Sequence, residues 1–161
     1  MPEITFRPMR ADDSDCLRAM LYHAIYVPPD APPPPPDIVD VPDIARYIED
    51  FGQRAGDIGV LACAEGECVG AAWTRLMHGY GFIAADVPEL SIALAPEYRG
   101  QGIGSRLLEQ MLVALRPSFR YVSLSVSEEN PAKRLYERFG FQTWSVSAGT
   151  ATMRLELPPA D

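Results

Sequence analysis

Residues 89 to 126 carry the pattern that most constrains the fold. An alternating apolar run is followed by a glycine-rich hinge, a one-faced apolar run and a second alternating run. Leu90, Ile92 and Leu94 recur at every second position from Glu89 onward, as in a strand, and Pro96 stops them. Arg99-Gly100-Gln101-Gly102-Ile103-Gly104 comes next, and Leu107, Leu108, Met111, Leu112 and Leu115 then share one helical face, closed by Pro117. Val122, Leu124 and Val126 alternate again. Strand, helix and strand in this order imply a parallel pair with a right-handed crossover. The 161 residues suffice for one domain of ordinary size, so the unit belongs to a single core.

The hinge points to an anion. Alternating glycines let main-chain N–H groups approach a ligand closely, the following helix start adds about half a positive charge, and Arg99 stands at the mouth as a cation that could pair with a phosphate oxygen. A P-loop would need a lysine after its last glycine, where Ser105 and Arg106 stand. A dinucleotide-binding turn would need G-x-G-x-x-G tight against the strand, whereas this is G-x-G-x-G with Pro96-Glu97-Tyr98-Arg99 intervening. The plainest alternative is a glycine-rich helix lead-in with no ligand, an unnecessary use of three glycines.

The rest of the chain can be placed around this unit. Ile4, Phe6 and Pro8 read as a short edge strand. A helix capped by Asp12, Asp13 or Ser14 buries Leu17, Met20, Leu21, Ala24 and Ile25, with His23 off the stripe. Residues 28–36, PPDAPPPPP, favour a stiff polyproline II segment, a spacer or a rim and not core. Asp43 opens a second helix carrying Ile44, Tyr47, Ile48 and Phe51 on one face, with Gly52 as its stop. Residues 58–64 and 68–75 flank the turn Glu65-Gly66 as a hairpin. That turn, if it has two residues, sets Cys63 opposite Cys68, a pair that oxidation could join, although free buried thiols are the preferred reading of that pair. Residues 76 to 88 form a loop. Asn130 caps a last helix, with Pro131 at its first position, Ala132, Leu135, Tyr136 and Phe139 inside and Gly140 after it. Residues 141–146 and 151–157 are two closing strands.

Composition removes several functions. A net charge of −8 would repel a phosphate backbone, so nucleic acid is not an expected partner. No apolar run reaches the roughly 20 residues that span a bilayer, the N-terminus lacks a leader pattern, and no membrane partner is expected. Three cysteines fit neither a disulfide framework nor a paired zinc site, so no metal is expected and the compartment is read as cytoplasmic. Residues 12 to 50 hold nine acids against Arg18 and Arg46, a local charge of −7. A cationic amine would be drawn to such a surface; the alternative, at least as strong, is that these acids cap helices and solvate a face.

The run from Leu94 to Gly104, followed by Asn130-Pro131-Ala132-Lys133-Arg134-Leu135-Tyr136-Glu137-Arg138-Phe139-Gly140-Phe141, resembles the GNAT superfamily of acyl-CoA N-acyltransferases. The family's R/Q-x-x-G-x-G/A signature is met at every position, and the specific resemblance covers residues 89–141. It implies one α/β (mixed α+β) domain over residues 1–161. A central, mostly antiparallel, twisted sheet of about six to seven strands would be flanked by about four helices. Residues 12–52, including the proline loop 28–36, would border the acceptor, and residues 89–141 would hold the cofactor. The two parallel strands would splay to admit a pantetheine arm.

The same resemblance implies acetyl-CoA as co-substrate and no metal. Ile92, Ala93 and Leu94 would hold the pantetheine arm through their main chain. The amides of Arg99, Gly100, Gln101, Gly102, Ile103 and Gly104, with Ser105 beside them, would hold the pyrophosphate, and Asn130 and Tyr136 would also touch the cofactor. The activity implied is acetyl transfer to a primary amine of a small molecule or peptide, by direct attack in a ternary complex, within the EC 2.3.1 class. No cysteine falls in either motif, which disfavours a covalent route.

Tyr136 suits a general acid, since a phenol of pKa about 10 stays protonated at neutral pH and can donate to the leaving thiolate. Its plainer reading is a core aromatic. Glu89 resembles the family position that supplies a carboxylate base, against the reading of a solvated residue after Pro88; His78, Glu67 and His23 are the other candidates. Tyr22, Tyr26, Tyr47 and Trp73 are candidate aromatic walls of the acceptor side, and each serves equally as core or surface filler. The rival functions are a sensor or regulatory module that binds acyl-CoA without turnover and nucleotide-dependent redox chemistry. The acceptor's identity, acyl-chain preference and oligomeric state are not specified, and a homodimer stays open.

Overall fold

Period-2 and period-3.6 apolar patterns set the elements of the computed structural model, which describes residues 2–159. Along the chain run β1 (Ile4–Pro8), α1 (Ser14–Ala24), α2 (Pro42–Ala45), β2 (Ile58–Ala64), β3 (Glu67–Arg75) and β4 (Glu89–Leu94). Then come α3 (Ile103–Leu115), β5 (Tyr121–Ser127), α4 (Ala132–Arg138), β6 (Gln142–Ser147) and β7 (Thr150–Glu156). The strands form one seven-stranded sheet in the order β1-β2-β3-β4-β5-β7-β6. Every neighbouring pair is antiparallel except β4 and β5. The mixed sheet with four α-helices is the α/β architecture expected from the sequence. Among the described residues no helix is long and apolar enough to cross a membrane.

Strand alternation divides the core into two layers. Val60, Ala62, Ala64, Val69, Ala72 and Leu90 face α3, where Leu107, Leu108, Met111 and Leu115 are buried. Leu61, Cys63, Ala71, Trp73 and Ala93 face α1, where Leu17, Met20 and Leu21 are buried. Glu89, Ser91 and Ala93 therefore share the α1 face of β4, because successive residues of a strand point to opposite sides. On β5 the same alternation puts Val122, Leu124 and Val126 under α3 and turns Ser123 and Ser125 to the α1 face.

Several elements depart from expectation. The second helix was expected to run from Asp43 to Phe51 but is a single turn, Pro42–Ala45. Side chains of β3 capture the carbonyls that would extend it. Trp73 Nε1 donates to the Tyr47 carbonyl at 3.1 Å, and Arg75 Nη1 donates to those of Arg46 and Glu49 at 2.9 and 2.7 Å. The apolar face still packs, with Tyr47 buried beside Ile44, Ile48 and Phe51. Ile25 lies just past α1 in extended conformation. The proline segment is not extended throughout: the Ala31 amide closes a turn on the Pro28 carbonyl at 3.0 Å, and Pro36 starts a short 3₁₀ turn, Pro36–Asp40, where the missing N–H costs nothing, while Pro35 before it keeps polyproline II angles.

The cysteine reading needs the largest correction. Cys63 and Cys68 do face each other across the hairpin. The sulfur of Cys68, however, pairs with Cys16 of α1, with Cα atoms 6.1 Å apart, and Cys63 stays free and buried. The partner comes from α1 packing on this sheet face, a contact 52 residues away in sequence that hairpin register could not reveal. A thiol titration of the denatured, unreduced chain should count one reactive thiol, rising to three after reduction; three before reduction would remove the pairing.

Candidate active site

After Glu89 the sheet comes apart. β4 and β5 share only the register pair Glu89↔Ser123, with the Ser123 amide donating to the Pro88 carbonyl at 3.0 Å. β4 keeps six register pairs with β3, and β5 keeps seven with β7, so each strand is held firmly on its far side. Gly81 of the loop between β3 and β4 lies where they part. A Cβ there would come within 2.7 Å of the Leu124 main-chain carbon and 2.9 Å of the Ser125 nitrogen.

The glycine hinge lies beyond the open end of β4. Gly100 and Gly102 have φ of +74° and +81°, the left-handed region that favours glycine, and a Cβ at either would meet nothing within 4 Å. Among the described residues, the six consecutive N–H groups from Gly100 to Ser105 donate to no backbone or side-chain acceptor. The first turn of α3 also lacks an acidic residue, and its N-cap, Gly102, provides no side-chain cap. Unpaired amides, a helix start and open space together make a candidate cradle for an anion. Arg99 braces it: Nε donates to the Leu94 carbonyl at 3.3 Å and Nη2 to the His23 carbonyl at 3.2 Å. Gln101 Nε2 donates to the Glu97 carbonyl at 3.0 Å. Ile92, Ala93 and Leu94 lead from the gap toward this cradle, paired with β3 on one edge only.

Glu89 is 3% exposed, which overturns the reading of a solvated residue. The Tyr47 hydroxyl donates to its Oε2 at 2.5 Å, and the Gly81 amide donates to Oε1 at 3.0 Å. Burial pushes its pKa above the ordinary 4.5, and these two donors with the Arg46 charge oppose that rise without cancelling it. Glu67 sits at the opposite end of β3 from the residue paired with Glu89, which takes it out of the site. His78 stacks on Phe82 with ring centres 3.6 Å apart. His23 is half-buried, not exposed, and burial, then the Arg99 charge, hold its pKa below the usual value.

Tyr136 of α4 is buried, with its ring edge-on to Phe141 at 5.9 Å. Its hydroxyl has no hydrogen-bond partner among the described side chains, and burial pushes its pKa up to about 12. Asn130 Oδ1 accepts from the Ala132 amide at 3.0 Å, so the capping role is present. Of the candidate walls, Trp73 is core. Tyr22 and Tyr26 tether loops through the Pro34 and Glu129 carbonyls. Tyr47 contacts Glu89, a contact its helical spacing concealed.

Two of the nine acids between residues 12 and 50 are held in ion pairs. Asp13 pairs with Arg7, and Asp40 with Arg18, at 2.8 and 2.6 Å.

Comparison with known proteins gives a consistent picture. A family model described as acetyltransferase (GNAT) family matches residues 21–141. The chain is similar to mycothiol acetyltransferase of Arthrobacter sp. (strain FB24), 28% identical over 102 residues, covering 62% of this chain and 31% of that protein. It is also similar to a putative phosphinothricin acetyltransferase of Bacillus subtilis (strain 168), 33% identical over 87 residues, covering 52% and 53%. The chain thus spans about a third and about half of these two relatives. A putative acetyltransferase from Salmonella typhimurium, solved with acetyl-CoA, shares the fold with a TM-score of 0.70 at 20% identity, covering 99% of this chain and 96% of that one.

The buried carboxyl makes a signed prediction. A carboxyl whose folded-state pKa is raised stabilises the fold most while protonated, and that contribution is lost as pH rises through the folded pKa. The stability of the native chain relative to Glu89→Gln, from urea unfolding, should therefore fall as pH climbs above 4.5. A difference that stays level to pH 8 would show that Glu89 is not raised.

Proposed function

The chain belongs to the GNAT family of acetyltransferases, and on that premise we propose that it transfers an acetyl group from acetyl-CoA to a primary amine by direct attack in a ternary complex. The observation that carries this reading is the set of six unpaired amides, Gly100 to Ser105, at the open end of the parted strands. A diphosphate is the guest that such donors fit, and an overall charge of −8 makes a local positive site necessary for it.

Acetyl-CoA supplies the thioester carbonyl that the amine attacks. The chain's own residues do the rest. The unpaired main-chain edge of Ile92, Ala93 and Leu94 would hold the pantetheine arm; Arg99 would keep the hinge in place, with Asn130 on the other side. Amines near pKa 10 arrive protonated, so a base must take a proton before attack. Glu89, made more basic by burial, is that base, directly or through a water. Tyr136, kept protonated by burial, gives its proton to the departing thiolate. A covalent cysteine route has little support, since Cys16 and Cys68 are joined and Cys63 is buried. The acceptor is a small-molecule or peptide amine, and the exposed acids that remain unpaired on the first two helices favour a cationic one.

Two variants test the reading. Ser105→Asp should stabilise α3 by about 0.3–1 kcal/mol, because an acid at a helix start complements its dipole. The same charge would occupy the cradle, so calorimetry should find acetyl-CoA binding weakened by about tenfold or more. Unchanged affinity would place the diphosphate elsewhere. Tyr136→Phe should bind acetyl-CoA nearly as the parent does while releasing thiol about 10²-fold more slowly across a panel of amines. A rate equal to the parent's would leave Tyr136 as packing alone.

A further inference from the structure

Glu89 is one end of a chain of contacts that the transfer reaction does not by itself require. Asp57 and Arg75 are 0% and 1% exposed at their side chains and pair through two hydrogen bonds, Nε to Oδ1 at 3.0 Å and Nη2 to Oδ2 at 2.9 Å. Arg75 holds the carbonyls of Arg46 and Glu49, and Trp73, two residues back on the same face of β3, holds that of Tyr47. Three main-chain groups around Tyr47 are thus pinned to the sheet. Its ring points inward, and its hydroxyl reaches Glu89 Oε2.

That hydroxyl is also engaged from the loop. The Tyr80 amide donates to it at 2.8 Å, and the next amide, of Gly81, donates to the other oxygen of Glu89. A Cβ at Gly79 would come within 2.5 Å of both Glu89 Oε1 and the Tyr47 hydroxyl, so only glycine permits this approach. The ring of Tyr80 stacks on that of Tyr47 at 6.1 Å and 10°, with the Arg46 guanidinium beside both.

We infer that Tyr47 is a positioning residue for the base: its hydroxyl, held by Trp73 and Arg75 from one side and by the Gly79–Gly81 strap from the other, fixes the direction and basicity of Glu89. The inference rests on the reading of Glu89 as base. A hydroxyl donating to a carboxylate favours its charged form, so Tyr47 keeps a deeply buried acid ionisable. Among the described residues, no other side chain facing Glu89 bonds to its carboxylate. Arg75, opposite on β3, is spent on Asp57 and two carbonyls. Arg46 is tied to the Asp43 and His78 carbonyls. Ser123, opposite on β5, is fully buried with its Oγ unpartnered. His78 stacks on Phe82 and its side chain makes no hydrogen bond to Glu89, and the exposed Tyr80 offers its amide, not its phenol.

The test is a carbon-13 titration of the full chain labelled at the glutamate carboxyls, with the Glu89 signal assigned by its loss in Glu89→Gln. In Tyr47→Phe the Glu89 midpoint should rise by about one pH unit, the equivalent of one hydrogen bond to a charged group. The acidic limb of kcat/KM, measured with acetyl-CoA and whichever amine of the panel turns over fastest, should move upward equally. An unmoved midpoint in a folded Tyr47→Phe overturns the inference. Should that variant not fold, the parent labelled at tyrosine Cζ gives the same answer: one tyrosine must titrate in step with Glu89 and lose that step in Glu89→Gln, and its absence overturns the inference. The base assignment is checked separately, since full turnover by Glu89→Gln would overturn both readings, whereas loss of turnover with no tyrosine coupling overturns only the role of Tyr47.

Discussion

The parting of β4 from β5 after Glu89 is the constraint on which the site depends. Giving up ladder hydrogen bonds inside a sheet is costly, because each buried polar group left unmet costs about 1–3 kcal/mol. The break survives here because neither strand depends on the other: β4 is carried by β3 and β5 by β7. Gly81 lies against the Leu124 and Ser125 main chain in the space between them. The same residue gives its amide to Glu89. One glycine thus both seats the loop at the break and helps hold the candidate base beside it.

Much of this was legible in the sequence, and the legible part is local. The α3 stripe, the flanking strands, the two-residue turn Glu65-Gly66 and the αL stop at Gly140 depend on periods and on residues that favour one backbone angle. The hinge was legible for the same reason, since three glycines before a helix have a local physical meaning. What was hidden depends on contacts distant in sequence. Tyr47 lies on a helical pattern that Trp73 and Arg75 cut short from 26 to 29 residues away. Cys16 meets Cys68 only because α1 crosses β3. A weak signal did exist for the strap: Gly79 and Gly81 flank an aromatic in the loop that leads to the strand opening with Glu89, and glycines so placed mark where main chain approaches something.

Charge is the other instructive case. A chain at −8 is an improbable host for a polyanion if only the total is counted. The structure locates the acids differently. Asp13, Asp40 and Asp57 are each bound to an arginine, and the first turn of α3 carries none. Beyond a screening length of about 8–10 Å, distant surface acids contribute little at the hinge. Nearby partial charges dominate there: six free amides and the start of a thirteen-residue helix. Affinity for an anion is decided within that radius.

The two candidate catalytic groups, Glu89 and Tyr136, show how one physical cause can serve opposite tasks. Burial disfavours charge, so it raises the pKa of any carboxyl or phenol. For Tyr136, where burial is the cause of the shift, the result is a group that keeps its proton at neutral pH and can give it to a basic centre, such as a departing thiolate, formed beside it. For Glu89 the same burial improves basicity toward an ammonium but, unopposed, would leave the carboxyl permanently protonated and useless. The Tyr47 hydroxyl and the Gly81 amide act against that excess. A carboxyl in open water at its ordinary pKa would be too weak a base, and one in an apolar pocket without donors would hold its proton too firmly. The two hydrogen bonds on Glu89 oppose the rise that burial causes, and the short α2, the Arg75–Asp57 pair and the glycine strap all converge on that one side chain.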